Sequence, residues 1–262
     1  MKAYFAEFHA KPDWELGGGP DLPEDTPEVA SLRHSESYED RIRLGNALCW
    51  QLRSRQAAEA YTSAIELDPQ RLEGYRKRAG RYICTLRPES AMEDLGRCMD
   101  LGGDAMDLTY RMGLCHYYLG QYPQAMEQME ACYPLCDDEM GIAAIFWHTL
   151  SAWRCGRQPV LLEEHYRPGM QVGHHTGYDL VMGAAAGQKE LAELDRAIQT
   201  EPRDLEYSIL AYGRIAMLML RGQQEQAQAL RYQLLRRDGF WISYAYIAAW
   251  NDAYRGGRGN HR

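Results

Sequence analysis

The sequence predicts an all-α fold of stacked helix pairs, and three observations carry that prediction. Gly45, Ala79 and Gly113 recur every 34 residues. Ala57, Ala91 and Ala125 recur at the same interval and in fixed phase with the first set. Helix formers dominate between them, and runs of β-branched residues are scarce. A period of this length marks repeated helix hairpins that bury their faces only by stacking.

Each unit reads alike, column by column. The first helix carries its small residue at Gly45, Ala79 or Gly113, and a larger one follows at Leu48, Tyr82 or His116. The second helix carries Ala57, Ala91 or Ala125, then a bulky Tyr61, Leu95 or Met129 four residues on. A second small residue follows at Ala64, Cys98 and Cys132. Small side chains let two helices approach, and large ones fill the space beside them.

Taken in order, residues 1–35 form a non-repeat arm. The stretch Gly17 to Pro27 is too rich in Gly and Pro for regular helix. Tyr4, Phe5, Phe8 and Trp14 before it are too aromatic for a disordered leader, which predicts an ordered arm packed on the repeats. The repeat domain spans 36–262. Clear repeats occupy about 38–133, with Pro69 closing the first. Degenerate repeats cover about 137–205: a strongly apolar helix to Gly156, a short one from Pro159 to Tyr166, a Pro- and Gly-rich break over 167–177, then a fifth pair. A last hairpin and cap fill about 205–254, where Ala227 lies three periods past Ala125. The tail GGRGNHR is expected to fray.

This pattern resembles the tetratricopeptide repeat family, most closely over residues 38–69. The resemblance implies a right-handed superhelix of about six hairpins with a C-terminal capping helix. It also implies that the first helix of each unit lines a concave groove for a peptide. On that face lie Asn46 and Trp50 in the first unit, Arg76 and Lys77 in the second, and Tyr110, Arg111 and Tyr117 in the third. Some members grip a peptide's terminal carboxylate with Lys, Asn and Arg. Asn46 and Arg111 match two positions of that clamp, but Ile42, Lys77 and Asp107 stand where it needs Lys, Asn and Lys. A mixed aromatic and Arg groove fits these residues better.

The composition narrows the function. The net charge of −8 argues against a nucleic-acid backbone as partner. The N-terminus lacks the apolar core and cleavage site of a signal peptide, and no apolar window is long enough to span a bilayer. With seven cysteines at helical positions and no CxxC pair, a reducing cytoplasm is expected. Cys132 and Cys136 lie four apart with Pro134 between them and without companion ligands. His165, His174 and His175 lack zinc spacing, while His116 and His148 read as packing residues. No nucleophile, phosphate-loop or dinucleotide motif is present. No cofactor, no metal and no enzymatic activity are therefore expected. The leading reading is a protein-interaction scaffold for a peptide or protein partner. A self-associating structural protein is the alternative, using Tyr246, Trp250 and Tyr254 on the last helix, with a monomer favoured over a homodimer. A hydrolase or metal-dependent activity in 156–187 ranks third.

Overall fold

A computed structural model of the chain describes residues 10–17 and 24–254. Among them every regular element is helical. They divide into two compact units, one ending at Asp104 and the other beginning at Ala105. Tyr4, Phe5, Phe8 and the glycine-rich tail lie outside the described residues.

The first unit opens with α1 (Pro12–Glu15) and α2 (Pro27–Arg33), followed by two pairs: α3 (Tyr38–Trp50) with α4 (Ser54–Leu67), and α5 (Leu72–Cys84) with α6 (Pro88–Asp100). Helix α2 starts where Thr26 caps the Val29 amide and Pro27 takes the first helical position, as a proline that lacks an N–H can. This helix lies in the ordered, non-repeat arm expected over residues 1–35, and Thr-Pro is itself a start signal. Val29 and Leu32 join the core of α3 and α4.

The small-residue columns are the helix contacts they were expected to be. A Cβ placed on Gly45 would lie 2.6 Å from Cδ1 and from Cζ of Tyr61. One placed on Gly113, in the second unit, would lie 2.5 Å from Cε of Met129. Ala57, Ala79, Ala91, Ala125, Ala64, Cys98 and Cys132 are all buried. The α5–α6 pair adds a polar lock. Arg78 donates to both carboxylate oxygens of Asp94, at 2.8 and 2.6 Å, and to Thr62 Oγ1 at 2.9 Å.

Residues 10–17 belong to this unit. The Ala10 amide donates to Gln51 O at 3.0 Å. Buried Glu15 accepts the Arg55 amide at 2.8 Å, which caps the first turn of α4 from forty residues away. Burial pushes the Glu15 carboxyl up, against that hydrogen bond and the charges of Arg55 and Arg53. Ala10, Pro12 and Leu16 are buried and Trp14 is half-buried. The described part of the arm is thus anchored mainly by its carboxylate and small apolar residues.

The second unit holds α7 (Ala105–Tyr118), α8 (Tyr122–Cys132), α9 (Asp138–Cys155), α10 (Val160–His165), α11 (Thr176–Ala185), α12 (Leu191–Thr200), α13 (Asp204–Leu220), α14 (Gln224–Leu235) and α15 (Tyr244–Tyr254). A 3₁₀ turn, Tyr133–Leu135, links α8 to α9. Helix α9 is buried over most of its circumference from Gly141 to Ala152, as a helix apolar all round must be. The break after α10 is tied down by side chains. Asp138 accepts from Arg167 at 2.8 Å and from the Gln171 amide at 2.9 Å. Buried Glu206 accepts the Gly177 amide at 3.0 Å, at the start of α11.

One turn recurs inside all six helix pairs. A residue in the left-handed region stands at Leu52, Leu86, Gly120, Gly156, Gly187 and Gly222, with φ between 52° and 73°. The amide after each donates to the carbonyl five residues back, from Arg53 to Leu48 through Gln223 to Leu218, at 2.8–3.0 Å. The first and last turns stand 170 residues apart, so the mean period over five intervals is 34. The degenerate repeats keep this turn although their spacing drifts. Residues 38–235 therefore form six tetratricopeptide-like hairpins, preceded by α1 and α2 and followed by one terminal helix.

Candidate functional site

The seven groove candidates fall in both units. Asn46, Trp50, Arg76 and Lys77 belong to the first unit, and Tyr110, Arg111 and Tyr117 to the second.

On α3, Asn46 and Trp50 sit one turn apart on one side of the helix. Asn46 Oδ1 accepts two hydrogen bonds at 2.9 Å, one from Tyr61 Oη and one from Lys77 Nζ on α5. Cys49 Sγ lies 3.4 Å from Tyr61 Oη. Because the phenol proton goes to Asn46, the thiol is the donor. Burial first, and then Cys49, hold the Tyr61 phenol far above its ordinary range, so it stays a neutral donor. Lys77 also pairs with Glu73 at 3.6 Å, one turn away. Trp50 carries no such ties to its neighbours in this cluster, and 72% of it is exposed. Arg43, exposed on α3, pairs with Asp40 at 2.8 Å, and Arg76 is exposed on α5. The first unit thus presents an indole beside a fixed amide and ammonium, with arginines at the rim.

The second unit is different, because its own helices cover Tyr110 and Tyr117, two of the residues expected to face a ligand. Tyr110 and Tyr117 on α7 are 8% and 4% exposed. Tyr110 packs on the Tyr244 ring of α15, centroids 6.4 Å apart. Tyr118 Oη donates to Tyr244 O, and Asn251 Nδ2 donates to Tyr118 O, both at 3.0 Å. Tyr117 meets Trp147 of α9 edge-on at 5.0 Å, and its hydroxyl lies 2.8 Å from that of Tyr212 on α13. Tyr212 in turn donates to Asp252 Oδ2 at 3.1 Å, and Arg154 pairs with the same carboxylate. Burial keeps both phenols protonated. Arg111 is tied to Asp107 at 2.9 Å one turn away.

This arrangement corrects the reading of the last helix. Tyr246 and Trp250 were expected on a leftover outer face. They are 2% and 8% exposed, and Tyr246 Oη donates to Leu235 O at 3.1 Å. The helix is wedged among α7, α13 and α14, so neither residue can offer its ring to a second chain. Tyr254 is 66% exposed. Sequence reasoning missed Arg154, Tyr212 and Asp252 altogether. Their spacing carries no motif, and only the return of α15 brings them together.

The histidines have different partners, except that His174 and His175 share Glu139. His148 is buried, with Nε2 3.0 Å from Glu130, and burial lowers its pKa against that carboxylate's pull. His165 stacks on Tyr133, His174 meets Glu139 at 3.1 Å, and His175 Nδ1 lies 2.6 Å from Glu139 O. Among the described residues no group of three or more His, Cys, Asp or Glu is placed to hold a metal ion. No helix among them is long and apolar enough to cross a membrane.

No protein-family profile matches the chain. Over 82 residues, 31% of its length, it is 35% identical to a UDP-N-acetylglucosamine–peptide N-acetylglucosaminyltransferase of Giardia intestinalis. Over 79 residues, 29% of its length, it is 35% identical to tetratricopeptide repeat protein 36 of Caenorhabditis elegans. These matches span 5% and 44% of the two relatives. Among solved structures the chain is similar to YrrB, described as a TPR protein with an unusual peptide-binding site. That likeness has a TM-score of 0.45 at 15% identity, and it covers 87% of this chain and 98% of that one.

Proposed function

We propose that this chain is a non-catalytic protein-interaction scaffold, and that its recognition surface is the α3–α5 face of the first unit. The observation that carries the proposal is Trp50. An indole that remains 72% exposed beside a pre-set polar cluster has the makings of an interface anchor, since Trp supplies large contact area at low entropic cost. Lys77 and Asn46 hold each other in place, so little side-chain freedom remains to be lost on binding. The partner is a peptide or protein segment with an apolar side chain for Trp50 and a carboxylate or carbonyl for Lys77. The closed face of the second unit leaves this as the better candidate.

The test is peptide selection from a displayed random library on the full chain. Affinities of the selected peptides are then measured by fluorescence anisotropy for wild type, Trp50→Ala and Lys77→Ala. The expected result is at least a tenfold loss in each variant, about 1.4 kcal/mol, with unchanged unfolding midpoints. Peptides that bind all three proteins equally would place recognition elsewhere.

A further inference from the structure

Cys132 and Cys136 are brought together by the way α8 ends. In a continuing α-helix, residues four apart stand about 5–6 Å from each other at Cβ. Pro134 cannot extend the helix ladder. The chain tightens into the turn Tyr133–Leu135, and Cys136 leaves it in extended conformation, with φ −92° and ψ 148°. The two sulfurs then lie 3.6 Å apart. Cys136 Sγ sits 3.3 Å from Cys132 O, and Cys132 Sγ sits 3.5 Å from Met106 O. The pair is unequal in access: Cys132 is fully buried, whereas Cys136 is partly exposed.

From this geometry we propose that Cys132 and Cys136 are an oxidation site that closes reversibly to an intramolecular disulfide, with a small-molecule disulfide such as oxidised glutathione as the oxidant. Cys136 reacts first because it can be reached. Its thiolate attacks one sulfur of glutathione disulfide. That S–S bond breaks, and one glutathione thiolate leaves and takes a proton. Cys132, deprotonated, then attacks the Cys136 sulfur of the mixed disulfide and expels the second glutathione. Two protein thiols lose two electrons and two protons, and one glutathione disulfide becomes two glutathione thiols. The bond ties the end of α8 to the entry of α9, across the corner where two hairpins meet.

The experiment equilibrates the full chain in buffers of graded reduced-to-oxidised glutathione ratio, quenches in acid, unfolds the chain in denaturant, alkylates free thiols and maps them by mass spectrometry. The wild type is expected to lose two alkylation sites, Cys132 and Cys136 together, and to become two hydrogens lighter without a retained glutathione. Cys132→Ser is expected to stop at a glutathione adduct on Cys136. Cys136→Ala is expected to leave Cys132 alkylatable only after denaturation and free of adduct. Three outcomes overturn the proposal: full alkylation of both positions in the most oxidising buffer, a persistent adduct on wild-type Cys136, or a cross-link that uses another cysteine. The wild-type map decides the question even if the buried serine variant folds poorly.

Discussion

Replacing Gly45 by alanine sets two effects of known size against each other. The residue lies inside α3, where glycine is less favourable than alanine by about 1 kcal/mol. Propensity alone therefore predicts a more stable protein. Packing predicts the opposite, because the new Cβ would stand 2.6 Å from two atoms of the Tyr61 ring. That ring is buried and anchored by its hydrogen bond to Asn46. To make room it must shift, at roughly 1–3 kcal/mol for overpacking, and a swing of the ring loses a further hydrogen bond of about 1 kcal/mol. The expected net loss is about 1–3 kcal/mol. Gly96 supplies the control, since it lies inside α6 and nothing stands within 4 Å of its would-be Cβ. Gly96→Ala is expected to stabilise by about 0.5–1 kcal/mol. Denaturant unfolding of both variants measures the pair, with Tyr61→Leu and Gly45→Ala/Tyr61→Leu completing a double-mutant cycle. The cycle is expected to show that the alanine is tolerated once the ring is gone. A Gly45→Ala variant at least as stable as wild type would refute the close-approach argument.

Ala91→Leu is expected to lower the unfolding midpoint by the equivalent of roughly 1–3 kcal/mol, because Ala91 is fully buried at the α5–α6 contact; an unchanged melt would contradict it. Hydrogen bonding to Arg33, helped by Arg53, brings the Asp25 carboxyl from its ordinary 3.8 down to about 2. A depressed carboxyl stabilises the fold above its unfolded pKa and loses that contribution as pH falls through the folded one. With Asp25 partly solvent-screened, the contribution is about 1–2 kcal/mol. The stability gap between wild type and Asp25→Asn should therefore be full at pH 5 and close between pH 4 and 2, as followed by urea unfolding. Asp252→Ala strips Arg154 and Tyr212 of their shared acceptor. It is expected to cost about 2–4 kcal/mol and to speed proteolysis in the link between α14 and α15, read by timed trypsin digestion.

The parts of the fold that repeat were legible before any coordinates. Gly45 and Tyr61 are sixteen residues apart, as are Gly113 and Met129, and both pairs touch because one local geometry recurs. Even Ala227 kept its phase, since the Gly222 turn before it matches the Leu52 turn. Legibility ended where contacts stop being local. The aromatics of α15 were visible, but their covered side depends on where an array of four hairpins carries the chain, and no short-range pattern records that. Tyr110 and Tyr117 shared the face expected of groove residues, yet Tyr110 is covered by Tyr244 of α15, and Tyr117 by Trp147 of α9 and Tyr212 of α13. Glu15 is a similar case, because a lone glutamate in an arm gives no sign of the helix it caps. The start of α2 differs: Thr26-Pro27 is a local signal, outweighed in the reading by the glycines and prolines before it.

The wedge of α15 against α7 also bears on how the second unit folds and how it can be engineered. An open repeat array is nearly one-dimensional: each hairpin answers only to its neighbours, folding starts anywhere, and units can be added or deleted at little penalty. Here Tyr118 and Tyr244 join positions 126 residues apart in sequence. That long-range closure raises contact order and slows folding, and it converts a string of semi-independent hairpins into one all-or-none body. Insertion of a consensus hairpin between α8 and α13 would move α15 out of reach of α7, so this unit has a fixed repeat number where an open array would tolerate any.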